Sequence, residues 1–346
     1  MTPCLFPPSL PAYGRPQCEH FMIPATENPP SVVSAYAPAS IGNFAAGFDF
    51  LGAALAPVDG SPFGNLLDAH TAAMTRLEVV GPYANRLSGR DNLVFAAYDA
   101  YAEALAARGR ATQPVAMVLH MELPPASGLG SSASSIVATL MALQALHGGP
   151  LSPRELLRVA GRVEGAHGGG LHLDNVAPCY LGGLRLVVDP SEASGPETRP
   201  LPWPEDLWIV VAHPDLEVPT AQARQALPRE LPLGQAVQFA RNACGLVHAL
   251  HQSDAQDIAR TLWDPVAEPH RAPFVPGFQE ARRCALEAGA LGCSLSGSGP
   301  SLFAVAPVDQ APRVAEAMRT GLEQDGREVR TWVCTLDRRG ARTLSS

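Results

Sequence analysis

Twelve residues, PPASGLGSSASS from 124 to 135, constrain this chain more than any other stretch. Pro124 and Pro125 stop the segment before them, and Gly128 and Gly130 supply backbone without side chains. Ser131 and Ser132 lead into the apolar run from Ala133 to Leu146. Upstream, Val115, Met117, Leu119, Met121 and Leu123 recur at period two, the pattern of a strand with one face in a core. The spacing predicts strand, glycine loop and helix, the helix apolar nearly all round and therefore buried. Ser131 or Ser132 is expected to cap its N-terminus, where backbone N–H groups lack intrahelical partners and the helix dipole is positive. Such a terminus suits an anion. The glycines let a phosphate approach the backbone, and a serine hydroxyl at the helix start can help hold a magnesium ion on that phosphate. An ordinary glycine turn before a buried helix would need neither the GLG nor the serine run.

The string fits neither GxxxxGKS/T nor, closely, GxGxxG. The first exclusion is firm because the 346 residues include no lysine, all 25 basic residues being arginines. That closes the chain to lysine-dependent phosphate loops, to kinases with a strand lysine and to Schiff-base chemistry. A net charge of −8, with arginines scattered along the chain, argues against a nucleic-acid surface, so an anionic ligand must be met locally. No run of eighteen apolar residues suggests a membrane span. The seven cysteines form no CxxC pair and are expected to be reduced core residues of a cytoplasmic protein. Length favours two lobes.

The string resembles the phosphate-binding motif PxxxGLGSSA of the GHMP small-molecule kinases. Further segments in matching order carry the resemblance from residue 32 to about 343 and point to the homoserine kinases within that family. The resemblance implies an α+β, two-lobe fold. A ribosomal-protein-S5-domain-2-like lobe would span 31–190 and a ferredoxin-like α/β sandwich 191–346, after a poorly ordered extension at 1–30. The proline-rich, polar stretch at 189–206 is the expected boundary. The same resemblance places ATP on Pro125, Ala126, Ser127, Gly128, Leu129, Gly130, Ser131, Ser132, Ala133 and Ser134.

Other segments have a plain reading and a family one. In APASIGNFAAGFDFLG, Asn43 and Asp49 can simply bond their own loop; in the homoserine kinases the matching pair faces substrate. Ile41 and Gly42 depart from the small residues usual there. Asp91 or Asn92 can cap the helix predicted by Phe95, Tyr98, Tyr101 and Leu105, and the resemblance puts Asn92 beside adenine. Ser152, Pro153 and Glu155 predict a helix with a capping box, running to about Glu164. A boundary carboxylate is ordinarily solvated, but the resemblance makes Glu164 a magnesium ligand, alongside a serine of the helix start, Ser131 or its neighbour Ser132. In HLDNVAP, His172 would line the site and Asn175 contact substrate. Thr220 is expected to cap a short helix carrying Arg224, and the resemblance sets Thr220, Arg224 and, in EPHR, Arg271 on the substrate. A forked guanidinium suits a carboxylate, because two parallel N–H bonds match two oxygens. Val237, Ala240, Cys244 and Val247 mark the predicted core face of a helix over 235–251. His248 and His251, without further ligands, are read as structural. A second glycine loop, Ser296 to Pro300, would close the site.

The expected activity is therefore transfer of the ATP γ-phosphoryl group to the side-chain hydroxyl of L-homoserine. ATP and Mg²⁺ would be required; Asp49, Arg224 and Arg271 would be the catalytic groups, with Asp49 the fallback base. No nucleic-acid or membrane partner is implied, and a homodimer is compatible with the chain. Another GHMP alcohol kinase, or a non-catalytic metabolite sensor on the same fold, are the alternatives.

Overall fold

The computed structural model describes residues 31–86, 92–166, 170–191, 195–323 and 326–344. The first part of the chain forms strands β1 (Val32–Pro38), β2 (Ser40–Gly42), β3 (Leu51–Pro57), β4 (Gly64–Thr71) and β5 (Arg76–Val80), then helix α1 (Leu93–Ala106) and strand β6 (Val115–His120). Helices α2 (Ser131–Leu146), α3 (Pro153–Gly165) and α4 (Val176–Leu181) follow, with strands β7 (Leu184–Asp189) and β8 (Glu197–Leu201). Beyond them lie β9 (Leu207–Pro214), α5 (Thr220–Gln225), α6 (Leu233–Gln252), α7 (Ala255–Thr261), α8 (Glu268–Arg271) and α9 (Phe278–Glu287). Strands β10 (Gly292–Leu295) and β11 (Leu302–Pro307), helix α10 (Ala311–Leu322), and strands β12 (Val329–Leu336) and β13 (Arg342–Leu344) complete it.

Helix α2 is the axis of the first lobe. Every residue from Ala133 to Leu146 is buried, between β1 and β4 on one side and α1, α3 and α4 on the other. Truncating a residue such as Ile136 or Leu143 to alanine in such a setting costs about 2–5 kcal/mol. The sheet beneath it has the order β13-β1-β4-β6-β5, antiparallel except for the parallel β5–β6 pair. Helix α3 starts as its sequence dictates: the Ser152 hydroxyl accepts from the Glu155 N–H, and the Glu155 carboxylate accepts the Ser152 N–H at 2.9 Å.

The second sheet runs β10-β11-β9-β12-β3-β7-β8, with β2 on β3. It crosses the boundary expected at 190. Strand β3 pairs with β2 through Gly52–Ala54, with β7 through Leu51–Ala53 and with β12 through Leu55–Pro57, while β13 returns to the first sheet. The proline-rich stretch read as a linker contains β8. Pro200 fits there because β8 is the sheet's edge, where a missing N–H forfeits no ladder bond.

Helix α6 corrects another expectation. Asn242, Leu246, Ala249 and Leu250 face inward, whereas Val237, Ala240 and Cys244 are exposed and Val247 is half-buried. Periodicity defines a stripe, but not which stripe meets the core. Cys179, Cys293 and Cys334 are buried as expected; Cys244 is exposed and Cys284 half-buried. No helix among the described residues is long and apolar enough to cross a membrane, and they hold no group of three or more His, Cys, Asp and Glu suited to a metal.

Candidate active site

The phosphate loop hangs by its carbonyl groups. Val218 N–H donates to the Ala126 carbonyl at 3.2 Å, Ser301 N–H to Ser127 at 3.0 Å, the Ser296 hydroxyl to Gly128 at 2.6 Å and Ser40 N–H to Leu129 at 3.1 Å. These carbonyls are satisfied, and the Leu129 N–H donates to Ser127 Oγ at 3.3 Å within the loop. Ser127, Leu129 and Ser131 are buried while Ala126, Gly128, Gly130 and Ser132 are half-buried, so alternate residues line the concave face. Gly128 and Gly130 have φ of 79° and 65°. A Cβ on Gly128 would lie 2.2 Å from the Ser296 carbonyl oxygen, and one on Gly130 2.1 Å from Ser40 Oγ, so both positions need glycine for shape and space. Gly130 itself caps α2; no serine side chain does. The expected serine cap is corrected, and the first-turn amides are left for an outside acceptor.

Of the four serines at the helix start, Ser131, Ser132 and Ser134 have separate tasks. Ser131 donates to the Leu123 carbonyl at 3.1 Å, whereas Ser132 donates to Glu164 Oε2 at 2.5 Å. Of the two serines that the sequence left open beside Glu164, it is Ser132 that turns toward α3, because adjacent residues on a helix point about 100° apart. Ser134, expected at the nucleotide, is fully buried, donates to the Ala37 carbonyl at 2.7 Å and accepts the Asn65 N–H. Desolvation raises the Glu164 carboxyl above its ordinary range, and the Ser132 hydroxyl opposes that.

Asn65 was invisible as a site residue in the sequence, and Asp174 stood out only as part of the HLDNVAP match, with no role of its own. Asn65 is fully buried; its amide donates to the Ser131 carbonyl and Ser135 Oγ, and its oxygen accepts from the Glu122 and Leu123 N–H groups. It thus ties strand β4 to both ends of the phosphate loop. A lone asparagine in a strand otherwise destined for the core was the available signal. Asp174 accepts the Asn43 N–H at 3.1 Å. Burial, reinforced by Asp49 and Glu164, pushes its carboxyl up to about 7.

On the acceptor side the predicted residues meet, but they engage one another. Asn43 Oδ1 accepts the Asp49 N–H at 2.7 Å, the local role its residue type suggested. Asn43, Ala45 and Asp49 all have left-handed φ. Asp49 receives Arg224 Nη2 at 2.9 and 3.2 Å. His172 is half-buried, and burial, then Arg224, holds its imidazole below the ordinary histidine pKa, while Asp49 opposes them. Asn175 Oδ1 accepts from Ser40 Oγ at 3.0 Å, beside Gly130. Arg271 is 3% exposed and donates to the Gly297 carbonyl at 3.0 Å and, more weakly, to Ala223 at 3.5 Å, which makes it a brace for the second glycine loop. Both guanidinium carbons lie near the Phe48 ring, at 5.8 Å for Arg224 and 5.2 Å for Arg271. Thr220 is exposed in the first turn of α5, which Pro219 rather than Thr220 precedes as cap.

Asn92 caps α1, accepting the Val94 N–H at 3.0 Å, while its buried Nδ2 has no partner. An orphaned buried donor is unusual, and an acceptor on a bound base would satisfy it. Asp91 lies outside the described residues.

Residues 92–183 match the family described as GHMP kinases N terminal domain, and residues 246–324 the one described as GHMP kinases C terminal. A crystal structure of homoserine kinase from Cytophaga hutchinsonii is similar with a TM-score of 0.82 and 33% identity, over 92% of this chain and 99% of that one. A putative homoserine kinase from Listeria monocytogenes shares the fold with a TM-score of 0.68 and 23% identity, over 91% of this chain and 99% of that one. So does the galactokinase of Lactococcus lactis complexed with galactose, at 0.64 and 16%, over 92% and 97%.

Proposed function

Because the chain belongs to the GHMP kinases, a family of ATP-dependent phosphotransferases, we propose that it phosphorylates L-homoserine on its side-chain hydroxyl, giving O-phospho-L-homoserine on the way to threonine. The observation that carries the substrate is the pairing of Arg224 with Asp49 beside a second arginine, Arg271. An amino acid brings one carboxylate for guanidinium groups and one ammonium for a carboxylate, and this corner offers both. The similarity to the Cytophaga hutchinsonii homoserine kinase supports the same reading.

In this reading the amides of the phosphate loop and the first turn of α2 hold the triphosphate, and Asn92 meets the base. Ser132 and Glu164 are the residues suited to magnesium, a hard cation that would neutralise phosphate charge. Asp49 orients the acceptor's ammonium, and Asn175 and His172 border its hydroxyl. Phosphoryl transfer through a loose transition state runs largely on positioning and charge stabilisation, so a strong base is not demanded.

The test is ADP release from Mg·ATP by purified protein, with L-homoserine, serine, threonine, mevalonate and galactose offered singly. Release that depends on homoserine is expected. Release with another acceptor would keep the kinase and discard the substrate, while ATP binding without turnover would turn the assignment toward a sensor.

A further inference from the structure

Arg224 and Arg271 come from separate helices, α5 and α8, yet both guanidinium groups rest on one side chain from the first lobe. Three phenylalanines lie close together there, and only one takes this role. Phe44 stacks on Phe303 and meets Trp203 edge-on, and Phe50 meets Phe239 edge-on, whereas Phe48 is the one facing cations. Its position is fixed by its loop. The Asn43 side chain holds the Asp49 N–H, and left-handed φ at Asn43, Ala45 and Asp49 sets the turn on which Phe48 sits. The cations are fixed as well, Arg271 by the Gly297 carbonyl and Arg224 by Asp49, the residue next to Phe48. Two like charges at one partly desolvated place repel, and a ring face attracts each of them.

We propose that Phe48 is a positioning residue that keeps Arg224 and Arg271 on one surface for the acceptor's carboxylate, and so makes the enzyme select acceptors that carry one. The inference rests on the homoserine reading. Replacing the ring by an aliphatic side chain removes the attraction and leaves the repulsion, so the two guanidinium groups part and a bidentate grip on the carboxylate is lost. Arg271 stays on the Gly297 carbonyl and Arg224 is the group that moves, so the second glycine loop and the phosphate loop it holds keep their places.

Full-length wild type, Phe48→Leu and Phe48→Tyr are assayed with Mg·ATP on L-homoserine and on 3-aminopropan-1-ol, which is homoserine with hydrogen in place of the carboxylate. The ratio of the two kcat/KM values should fall roughly tenfold in Phe48→Leu. KM for ATP should hold, and Phe48→Tyr, which keeps a ring face, should keep the ratio. An unchanged ratio in Phe48→Leu, or equal losses on both acceptors, overturns the inference and leaves the substrate standing. A wild type without preference for homoserine over its carboxylate-free counterpart overturns the substrate reading, and this inference with it.

Discussion

On the phosphate side, the hydrogen bond from Ser132 to Glu164 apart, the loop is held by residues outside it. Carbonyls of the loop are taken by Val218, Ser301, Ser296 and Ser40, and the hydroxyls of Ser131 and Ser134 donate to carbonyls within the protein, so the loop's shape is set before an anion arrives. On the acceptor side the ligand groups hold each other: Asp49 with Arg224, Asn43 with the Asp49 N–H, Asn175 with Ser40. The first arrangement is preorganised and the second must exchange partners. The exchange is inexpensive. Arg224 and Asp49 side chains are 38% and 43% exposed, and ion pairs of that kind contribute at most about 1 kcal/mol. Charge-assisted contacts to a substrate carboxylate contribute about 1.5–3 kcal/mol, so on the homoserine proposal the acceptor would win Arg224 from Asp49.

If the contrast is right, damage on the phosphate side should appear in turnover and damage on the acceptor side in acceptor binding. The largest effect is expected for Glu164→Gln, which should lower kcat about a thousandfold, with Mg²⁺ affinity reduced in a titration monitored by initial rate. Full activity in that variant would remove Glu164 from the metal. Gly128→Ala comes next. Its Cβ would press on the backbone of the second glycine loop, and displacement of the phosphates on an ångström scale should cost about a hundredfold in kcat/KM for ATP. Unaltered ATP kinetics would mean that the loop's shape is not what holds the nucleotide. Arg224→Ala should raise KM for homoserine about thirtyfold with kcat little changed; a change confined to kcat would dissolve the contrast between the two sides.

The smallest effects carry opposite pH signs. Asp174, under the acceptor side, has its pKa pushed by burial from 3.8 to about 7. Between those values the folded chain keeps a proton that the unfolded chain loses, so stability falls as pH rises through that window. His213 is buried behind the phosphate loop, its Nδ1 3.0 Å from Ser301 Oγ. Burial, then Arg330, pushes it from 6.5 to about 4. There the unfolded chain takes the proton first, and stability falls as pH drops from about 6.5 to about 4. Denaturant midpoints measured across pH should show Asp174→Asn gaining on the wild type as pH rises and His213→Gln gaining as it falls, each by on the order of 2 kcal/mol. Parallel pH profiles for the two variants would show that neither group titrates as its burial demands.

Much of the architecture was legible because it is local. The period-two run before Pro124, the apolar run after Ser132 and the capping box at Ser152 each specify an element through contacts a few residues apart. The strand, glycine loop and helix stand where those patterns put them, and the family resemblance was carried by the same short strings. What the sequence could not decide depends on direction and on distant partners. Ser131 and Ser132 are chemically identical, and only the packing of α2 against α3 turns one toward Glu164 and the other toward Leu123. The stripe on α6 was visible but not which side met the core. Asn65 read as an ordinary strand residue and Asp174 as part of the HLDNVAP match until the fold buried them, one fully satisfied and the other lifted to about 7. Strands β3 and β13 pair with strands from the other half of the chain, and no local pattern on either side of residue 190 announces that. Helix and turn propensities act through near neighbours, whereas sheet partners, hydroxyl orientation and the pKa of a buried acid are set by groups that only the folded chain brings near.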